Sequence, residues 1–251
     1  MPKVVIEEHG NVAMLRMQNG VANPIGPGLV AALDKSLTAG EKEFQGVVLA
    51  GGEKFFSIGF NLPVLLSFDR ARMTDFFTRF NHLVLRLFLC PLPTACAIVG
   101  HAIAGGTILA LAGDFCLAAD KKPLMGLNEV KLGVPVPYLA DMMLRQRVSD
   151  RAANRILYSG EFFPATDAQR MGIVDETLPL AQVEARAVER VAAAAALPRH
   201  AFSAIKESRT ETIRQRYEAL GREKCRHFLD CWFAPSTRPL LEKAADAFSR
   251  R

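Results

Sequence analysis

Short apolar runs alternate with segments of helical spacing through the first half of the chain. Residues 4–8 and 12–17 flank the turn His9-Gly10-Asn11 and predict a β-hairpin. The other predictions from this pattern are buried strands at 46–50, 95–99, 114–118 and 124–125, a loop at 55–62, and helices at 27–37 and 73–89. Strands that alternate with helices are typical of an α/β layer architecture.

The second half of the chain is predominantly helical in pattern. The predicted helices cover 138–147, 150–158, 165–171, 180–196, a charged stretch from about 203 to 230, and a last segment that ends at 248. A break at Leu197-Pro198 divides the sequence into a core at 1–196 and a C-terminal helical region at 197–251. Phe228, Trp232 and Phe233 look exposed, so either the protein's own core or a neighbouring subunit must cover them.

A small-residue turn, Ala104-Gly105-Gly106, is the first candidate for chemistry. It follows the apolar run 94–103, which predicts one buried strand, and opens the helical run 107–112. N–H groups at a helix start lack intrahelical partners, and glycines let an oxygen that carries negative charge approach them. The turn is therefore a candidate oxyanion site, although strand, turn and helix in this order also occur as ordinary packing.

A lone carboxylate in Gly126-Leu127-Asn128-Glu129 is the second candidate. In an apolar setting Glu129 would have a raised pKa, which suits a base that must also return a proton. The alternative is an exposed loop carboxylate without a catalytic role.

Composition limits the classes of protein that remain. A chain of 251 residues, half of them hydrophobic, fits one large domain or a domain with a small appendage. We find no apolar run of about 18 residues and no signal-like N-terminus, so we expect a soluble, cytoplasmic protein without membrane association. The five cysteines and five histidines lack zinc-site spacing, so we expect no metal. His101 is expected to be a partly buried, hydrogen-bonded side chain rather than a catalytic one.

The net charge of +5 and the pI near 9.1 do not identify a partner. Basic residues are scattered, so we expect no nucleic acid, whereas a polyanionic small ligand would gain from the same charge. Phosphate-binding loops of the Gly-x-x-x-x-Gly-Lys-Ser/Thr and Gly-x-Gly-x-x-Gly types do not occur, and no separate cofactor is expected.

Three motifs in order resemble the crotonase family, the enoyl-CoA hydratase/isomerase superfamily, over nearly the whole chain. They are Leu49-Ala50-Gly51-Gly52-Glu53-Lys54-Phe55-Phe56-Ser57-Ile58-Gly59-Phe60-Asn61-Leu62, Ala97-Ile98-Val99-Gly100-His101-Ala102-Ile103-Ala104-Gly105-Gly106, and Gly126-Leu127-Asn128-Glu129-Val130-Lys131-Leu132-Gly133-Val134-Pro135. A weaker fourth match is Gly172-Ile173-Val174-Asp175. The resemblance implies an α/β fold, a spiral of ββα units with C-terminal helices for oligomerisation, and a homotrimer or hexamer that binds an acyl-CoA thioester.

The resemblance also implies roles for individual residues. The backbone N–H groups of Phe60 and Gly105 would hold the thioester oxygen, and Glu129 would be the catalytic carboxylate. Typical hydratases of the family carry a second glutamate where this chain has Ile108, so the resemblance favours an isomerase, and Gly-Leu-Asn-Glu is similar to the delta-3, delta-2-enoyl-CoA isomerases. Candidate substrate-binding residues, which include Lys54 for a CoA phosphate, are Ala22, Asn23, Lys54, Phe56, Ser57, Ile58, Gly106, Ile108, Leu127 and Pro135.

Other functions remain open from the sequence. An enoyl-CoA hydratase or another crotonase reaction is the first alternative, because the superfamily reuses its oxyanion site with relocated side chains. A non-catalytic acyl-CoA-binding protein is the second, and nucleic-acid binding, supported by the pI alone, is the last.

Overall fold

Two β-sheets and ten α-helices form the part of the chain that the computed structural model describes, residues 2–121 and 123–249. The strands are β1 (Lys3–His9), β2 (Val12–Gln18), β3 (Gly46–Ala50), β4 (Phe55–Ser57), β5 (Thr94–Ile98), β6 (His101–Ile103), β7 (Phe115–Ala119), β8 (Leu124–Gly126), β9 (Phe163–Pro164) and β10 (Glu176–Leu178). The helices are α1 (Pro27–Glu43), α2 (Leu62–Leu65), α3 (Arg70–Leu89), α4 (Gly105–Ala112), α5 (Tyr138–Arg147), α6 (Asp150–Ser159), α7 (Ala165–Met171), α8 (Val183–Ala195), α9 (Arg199–Trp232) and α10 (Arg238–Ser249).

The larger sheet has six strands in the order β1-β2-β3-β5-β7-β10, and every pair except β1-β2 is parallel. The smaller sheet has the order β4-β6-β8-β9, with β9 antiparallel. Each of β3, β5 and β7 is followed along the chain by a strand of the smaller sheet. The chain therefore winds between two sheets as a spiral with helices, which confirms the predicted α/β fold with a C-terminal helical region.

The predicted hairpin and the strand at Gly46–Ala50 are confirmed. The single strand predicted over 94–103 is wrong, because the chain passes from the larger to the smaller sheet at Val99-Gly100. At Gly100 an added Cβ would lie 2.6 Å from the carbonyl oxygen of Gly52. Only glycine allows this close backbone approach, and it lies between the end of β5 and the start of β6.

Other boundaries also differ from the predictions. The segment 55–62 is not entirely loop, since it contains β4 and the start of α2. Helix α1 continues six residues beyond the predicted end, and α3 begins at Arg70 because the Asp69 carboxylate accepts a hydrogen bond from the Arg72 N–H at 2.8 Å. The predicted helix at 180–196 is a 3₁₀ turn at Leu180–Gln182 followed by α8.

The C-terminal helices pack on the core of the same chain. Phe228 and Trp232 are buried rather than exposed, because the Phe228 ring stacks on Phe77 of α3 with ring centroids 3.9 Å apart. Phe233 stays 36% exposed. A buried ion pair, Lys206 Nζ to Asp114 Oδ2 at 2.7 Å, joins α9 to the segment before β7. The predicted division at 196/197 stays a prediction, and its residues Met1, Lys122, Arg250 and Arg251 lie outside the described residues.

Within residues 2–121 and 123–249, every helix is too short or too polar to cross a bilayer.

Candidate active site

The N-terminus of α4 packs at Gly59 against the segment 55–62, which is called the first loop below. Gly59 has a φ of 91°, and an added Cβ there would lie 2.9 Å from the Ile103 carbonyl oxygen and 3.1 Å from the Gly105 nitrogen. Any side chain at position 59 would therefore push the loop away from α4. Ala104, the residue before α4, has a φ of 47°, a conformation that non-glycine residues adopt at a cost and that clusters at functional sites.

Two backbone donors lie next to this contact. The N–H groups of Phe60 and Gly105 have no hydrogen-bond acceptor among the described residues, and the Gly105 group lies in the first turn of α4, where no helical acceptor exists. The loop is fixed on both sides of Phe60, since Ile25 N–H donates to Gly59 O at 2.7 Å and Asn61 N–H donates to Ile25 O at 2.9 Å. Two fixed free donors and a helix N-terminus can stabilise a negatively charged oxygen.

A narrow, mostly apolar cavity of about 60 Å³ opens beside these donors. Phe60, Gly105, Ile108, Ile58 and Glu129 line it, which brings all three predicted catalytic residues to one place. The remaining lining residues are Leu62, Ile103, Ala104, Asn128, Leu132, Val134, Pro137, Phe228, Trp232 and Ala244. Among the described residues that line it, Glu129 is the only carboxylate.

Glu129 begins a 3₁₀ turn, Glu129–Leu132, and is only 6% exposed. Among the described residues, its Oε2 atom has no hydrogen-bond partner, and neither does the neighbouring Asn128 Oδ1. Burial raises the pKa of Glu129 to about 7, against a smaller opposing effect of a hydrogen bond from its own backbone. Near neutral pH the carboxyl group can therefore both accept and release a proton.

Residues of the C-terminal helices complete the cavity wall. Phe228 and Trp232 of α9 and Ala244 of α10 line it. The sequence pattern marks the two aromatic residues as needing cover but does not place them at the site. Helical spacing identifies the packed face of α9, but it does not tell which element 150 residues earlier that face contacts.

A second cavity, of about 220 Å³, adjoins the first and shares Ile58, Phe60 and Leu62 with it. Ala22 and the exposed Lys54, two of the predicted substrate-binding residues, lie on its wall, and their role in binding stays a prediction. Basic residues of the described C-terminal helices do not line this cavity. Apart from Lys54 and Asn61, the described residues that line it are apolar.

Asn23 and Ser57 support the first loop rather than line a cavity. The Asn23 side-chain amide donates to Phe56 O at 3.2 Å, and the Ser57 hydroxyl donates to Asn23 O at 2.8 Å and accepts from Gly59 N–H at 3.1 Å. These bonds hold the loop in the conformation that exposes the Phe60 N–H.

The predicted substrate-binding residues Ile58 and Ile108 line the first cavity, whereas Phe56, Leu127, Gly106 and Pro135 lie away from both cavities. The side chains of Phe56 and Leu127 are fully buried in the core. Gly106 packs against the loop, since an added Cβ would lie 2.4 Å from Ser57 O. Pro135 lines a third cavity, of about 440 Å³, together with Tyr138 and His227.

His101 and three of the cysteines have local packing contacts. His101 Nδ1 accepts a hydrogen bond from Leu124 N–H at 3.0 Å, and its ring contacts Phe55. Cys90, Cys96 and Cys116 are buried free thiols, whose pKa values burial raises. In the described ranges, three or more His, Cys, Asp or Glu side chains do not come together in a group that could hold a metal ion.

Two free N–H donors beside one buried carboxylate are groups that can stabilise a charged oxygen and transfer a proton. Residues 7–232 match the family "Enoyl-CoA hydratase/isomerase", so the chain belongs to the enoyl-CoA hydratase/isomerase family.

The individual relatives include proteins named isomerases and proteins named hydratases. "Enoyl-CoA delta isomerase 1, mitochondrial" of Homo sapiens is 32% identical over 194 residues, which make up 76% of this chain but only 64% of that protein. The crystal structure of human mitochondrial delta3-delta2-enoyl-CoA isomerase superposes with a TM-score of 0.94 at 28% identity and covers 99% of this chain and 98% of its own. The enoyl-CoA hydratase EchA3 of Mycobacterium ulcerans Agy99 gives 0.81 at 28% identity, with 90% and 96% coverage.

Proposed function

We propose that the protein is an enoyl-CoA isomerase, which moves the double bond of a 3-enoyl-CoA to the 2-position. One observation carries the proposal: the cavity next to the two free N–H donors contains a single carboxylate, Glu129, while the residue at position 108 is isoleucine. Hydration must position a water molecule and also deliver a proton, whereas isomerisation needs one base that takes a proton and returns it. The names of the human relatives support the same reaction.

The proposed reaction begins with the thioester carbonyl oxygen at the N–H groups of Phe60 and Gly105. The Glu129 carboxylate removes a proton from C2, and the electrons of that C–H bond form a dienolate whose charge is carried largely by the carbonyl oxygen. The resulting carboxylic acid then protonates C4 as the double bond settles between C2 and C3. No atom is gained or lost, and Glu129 ends as the carboxylate. Losing one donor of such a cradle typically lowers the rate by about 100- to 1,000-fold.

The two adjoining cavities suggest how the substrate lies. The CoA portion would occupy the larger cavity, where the exposed Lys54 is available to a phosphate, and the acyl portion would enter the narrow cavity toward Phe228 and Trp232. Assembly as a homotrimer or hexamer through the C-terminal helices is part of the same proposal and rests on the family resemblance.

Product analysis tests the proposal. Purified protein is incubated separately with 3-enoyl-CoA and with 2-enoyl-CoA of several chain lengths, and the products are separated and identified by mass and absorbance. Conversion of the 3-enoyl to the conjugated 2-enoyl thioester supports the isomerase. Abundant 3-hydroxyacyl-CoA would instead identify a hydratase, and acyl-CoA binding without any product would identify a non-catalytic binding protein.

A further inference from the structure

Thr107 joins the two halves of the candidate site through its hydroxyl group. The side chain is fully buried at the start of α4. Its Oγ1 donates to Ala102 O at 2.6 Å and accepts a hydrogen bond from Gly126 N–H at 2.9 Å. Ala102 lies in β6, which leads into the oxyanion turn, and Gly126 ends β8, which leads into Glu129. One hydroxyl thus connects the donor side of the site with the base side.

Both backbone polar groups of Gly126 are hydrogen-bonded to residues at the start of α4. Its carbonyl oxygen accepts a hydrogen bond from the Ala104 N–H at 2.9 Å, in addition to the bond between its own N–H and Thr107. Gly126 also has a φ of 158°, and an added Cβ would lie 2.3 Å from Glu161 O. Backbone crowding therefore fixes this position as glycine, and the polar contacts fix its distance from the start of α4.

Glu129 has few hydrogen bonds of its own that would fix its carboxyl group. Oε2 has no partner, and the side chain projects into an apolar cavity from a position three residues after Gly126. The backbone must therefore hold the carboxyl group at the correct distance from the Phe60 and Gly105 donors. Misplacement by about 1 Å costs a reaction of this kind about 100-fold.

We propose that Thr107 is a positioning residue for the isomerisation, whose hydroxyl sets the place of Glu129 relative to the oxyanion donors. The proposal rests on the proposed function. Thr107 does not line either cavity at the site, so it acts through Gly126 and not by touching the substrate.

Three substitutions separate positioning from simple stability. Thr107→Val removes the hydroxyl at nearly constant volume, Thr107→Ser keeps it, and Thr94→Val removes an equally buried hydroxyl that binds Asp114 away from the site. Steady-state isomerisation of a 3-enoyl-CoA is measured for each, together with the free energy of unfolding in urea.

We expect Thr107→Val to lower kcat about 10- to 100-fold while KM changes less than about threefold. Thr107→Ser should stay within about threefold of the wild-type kcat, and Thr94→Val should lose stability but keep kcat. An active wild-type protein whose Thr107→Val variant keeps its kcat, or loses no more than Thr94→Val does, would overturn the inference alone. An inactive wild-type protein would overturn the proposed reaction and this inference with it.

Discussion

Ile108 and Glu129 line the same narrow cavity, one from the first turns of α4 and the other from the 3₁₀ turn after β8. Both side chains are buried, at 2% and 6% exposure. Because the side chain at position 108 is apolar, Glu129 is the only carboxylate among the described residues that line the cavity.

Substitution Ile108→Glu should introduce hydration. A second carboxylate in the cavity can hold and activate water, and general acid–base groups contribute about 100- to 10,000-fold where they are well placed. We expect formation of 3-hydroxyacyl-CoA from 2-enoyl-CoA to rise at least about tenfold over the wild-type rate. Ile108→Gln, similar in size but without a carboxylate, is the control, and equal hydration by both variants would contradict the assignment of position 108.

The rate of isomerisation should depend on pH through Glu129. The base must be ionised, and burial raises its pKa to about 7. We therefore expect kcat/KM to fall about tenfold for each pH unit below about 7 and to level off above it. A pH series from 5.5 to 9, with folding verified by tryptophan fluorescence at each pH, measures this. A flat profile between pH 5.5 and 8 would show that a group other than Glu129 limits the reaction.

Glu129 should also destabilise the folded protein at neutral and alkaline pH. The raised pKa means that the folded state binds this proton more tightly than the unfolded chain does, so stability falls as pH rises from the usual value of 4.5 to about 7 and is then constant. Because one pH unit is worth about 1.4 kcal/mol, the carboxylate costs on the order of 3 kcal/mol above pH 7.

Glu129→Gln removes that ionisation. We expect its free energy of unfolding in urea to exceed that of the wild type by about 1–3 kcal/mol at pH 8, and to differ little at pH 4.5. A variant that is less stable than the wild type at pH 8 would show that the carboxylate has partners in the folded protein.

The aromatic wall of α9 should limit the length of the acyl group. Trp232 lines the narrow cavity, and Trp232→Leu would enlarge it at a lower stability cost than the 3–5 kcal/mol typical of aromatic-to-alanine changes in cores. We expect the ratio of kcat/KM for a 12-carbon over a 6-carbon 3-enoyl-CoA to rise about tenfold. Phe233→Leu, a neighbouring aromatic residue outside the cavity, is the control, and equal ratios in both variants would contradict this role.

Local pattern predicted the elements that are long or strongly periodic. The hairpin, β3, α5 and α7 follow from alternating or helical spacing together with turn residues. Strands β4, β9 and β10 have two or three residues each, too few to show any period. Local pattern does not predict the break between β5 and β6. The break depends on the contact of Gly100 with Gly52, which forms between segments that are far apart in sequence.

The sequence predicts the site residues that belong to a motif. It does not predict the residues that reach the site through packing. Phe60, Gly105 and Glu129 come from the three motifs, and the structure places them around one cavity. Trp232 and Phe228 come to that cavity through the stacking of Phe228 on Phe77, a contact between residues about 150 positions apart. Thr107 was not singled out, because its two partners lie on different strands.

Glu129 as the proton-shuttling base is the central claim, and the activity of Glu129→Gln tests it most directly. Isomerisation of 3-enoyl-CoA is followed at the absorbance of the conjugated thioester, beside the wild type and Glu207→Gln, which changes an exposed carboxylate on α9. We predict that Glu129→Gln loses at least about 1,000-fold in kcat while still binding acyl-CoA, and that Glu207→Gln keeps full activity. Unchanged conversion by Glu129→Gln would contradict the account.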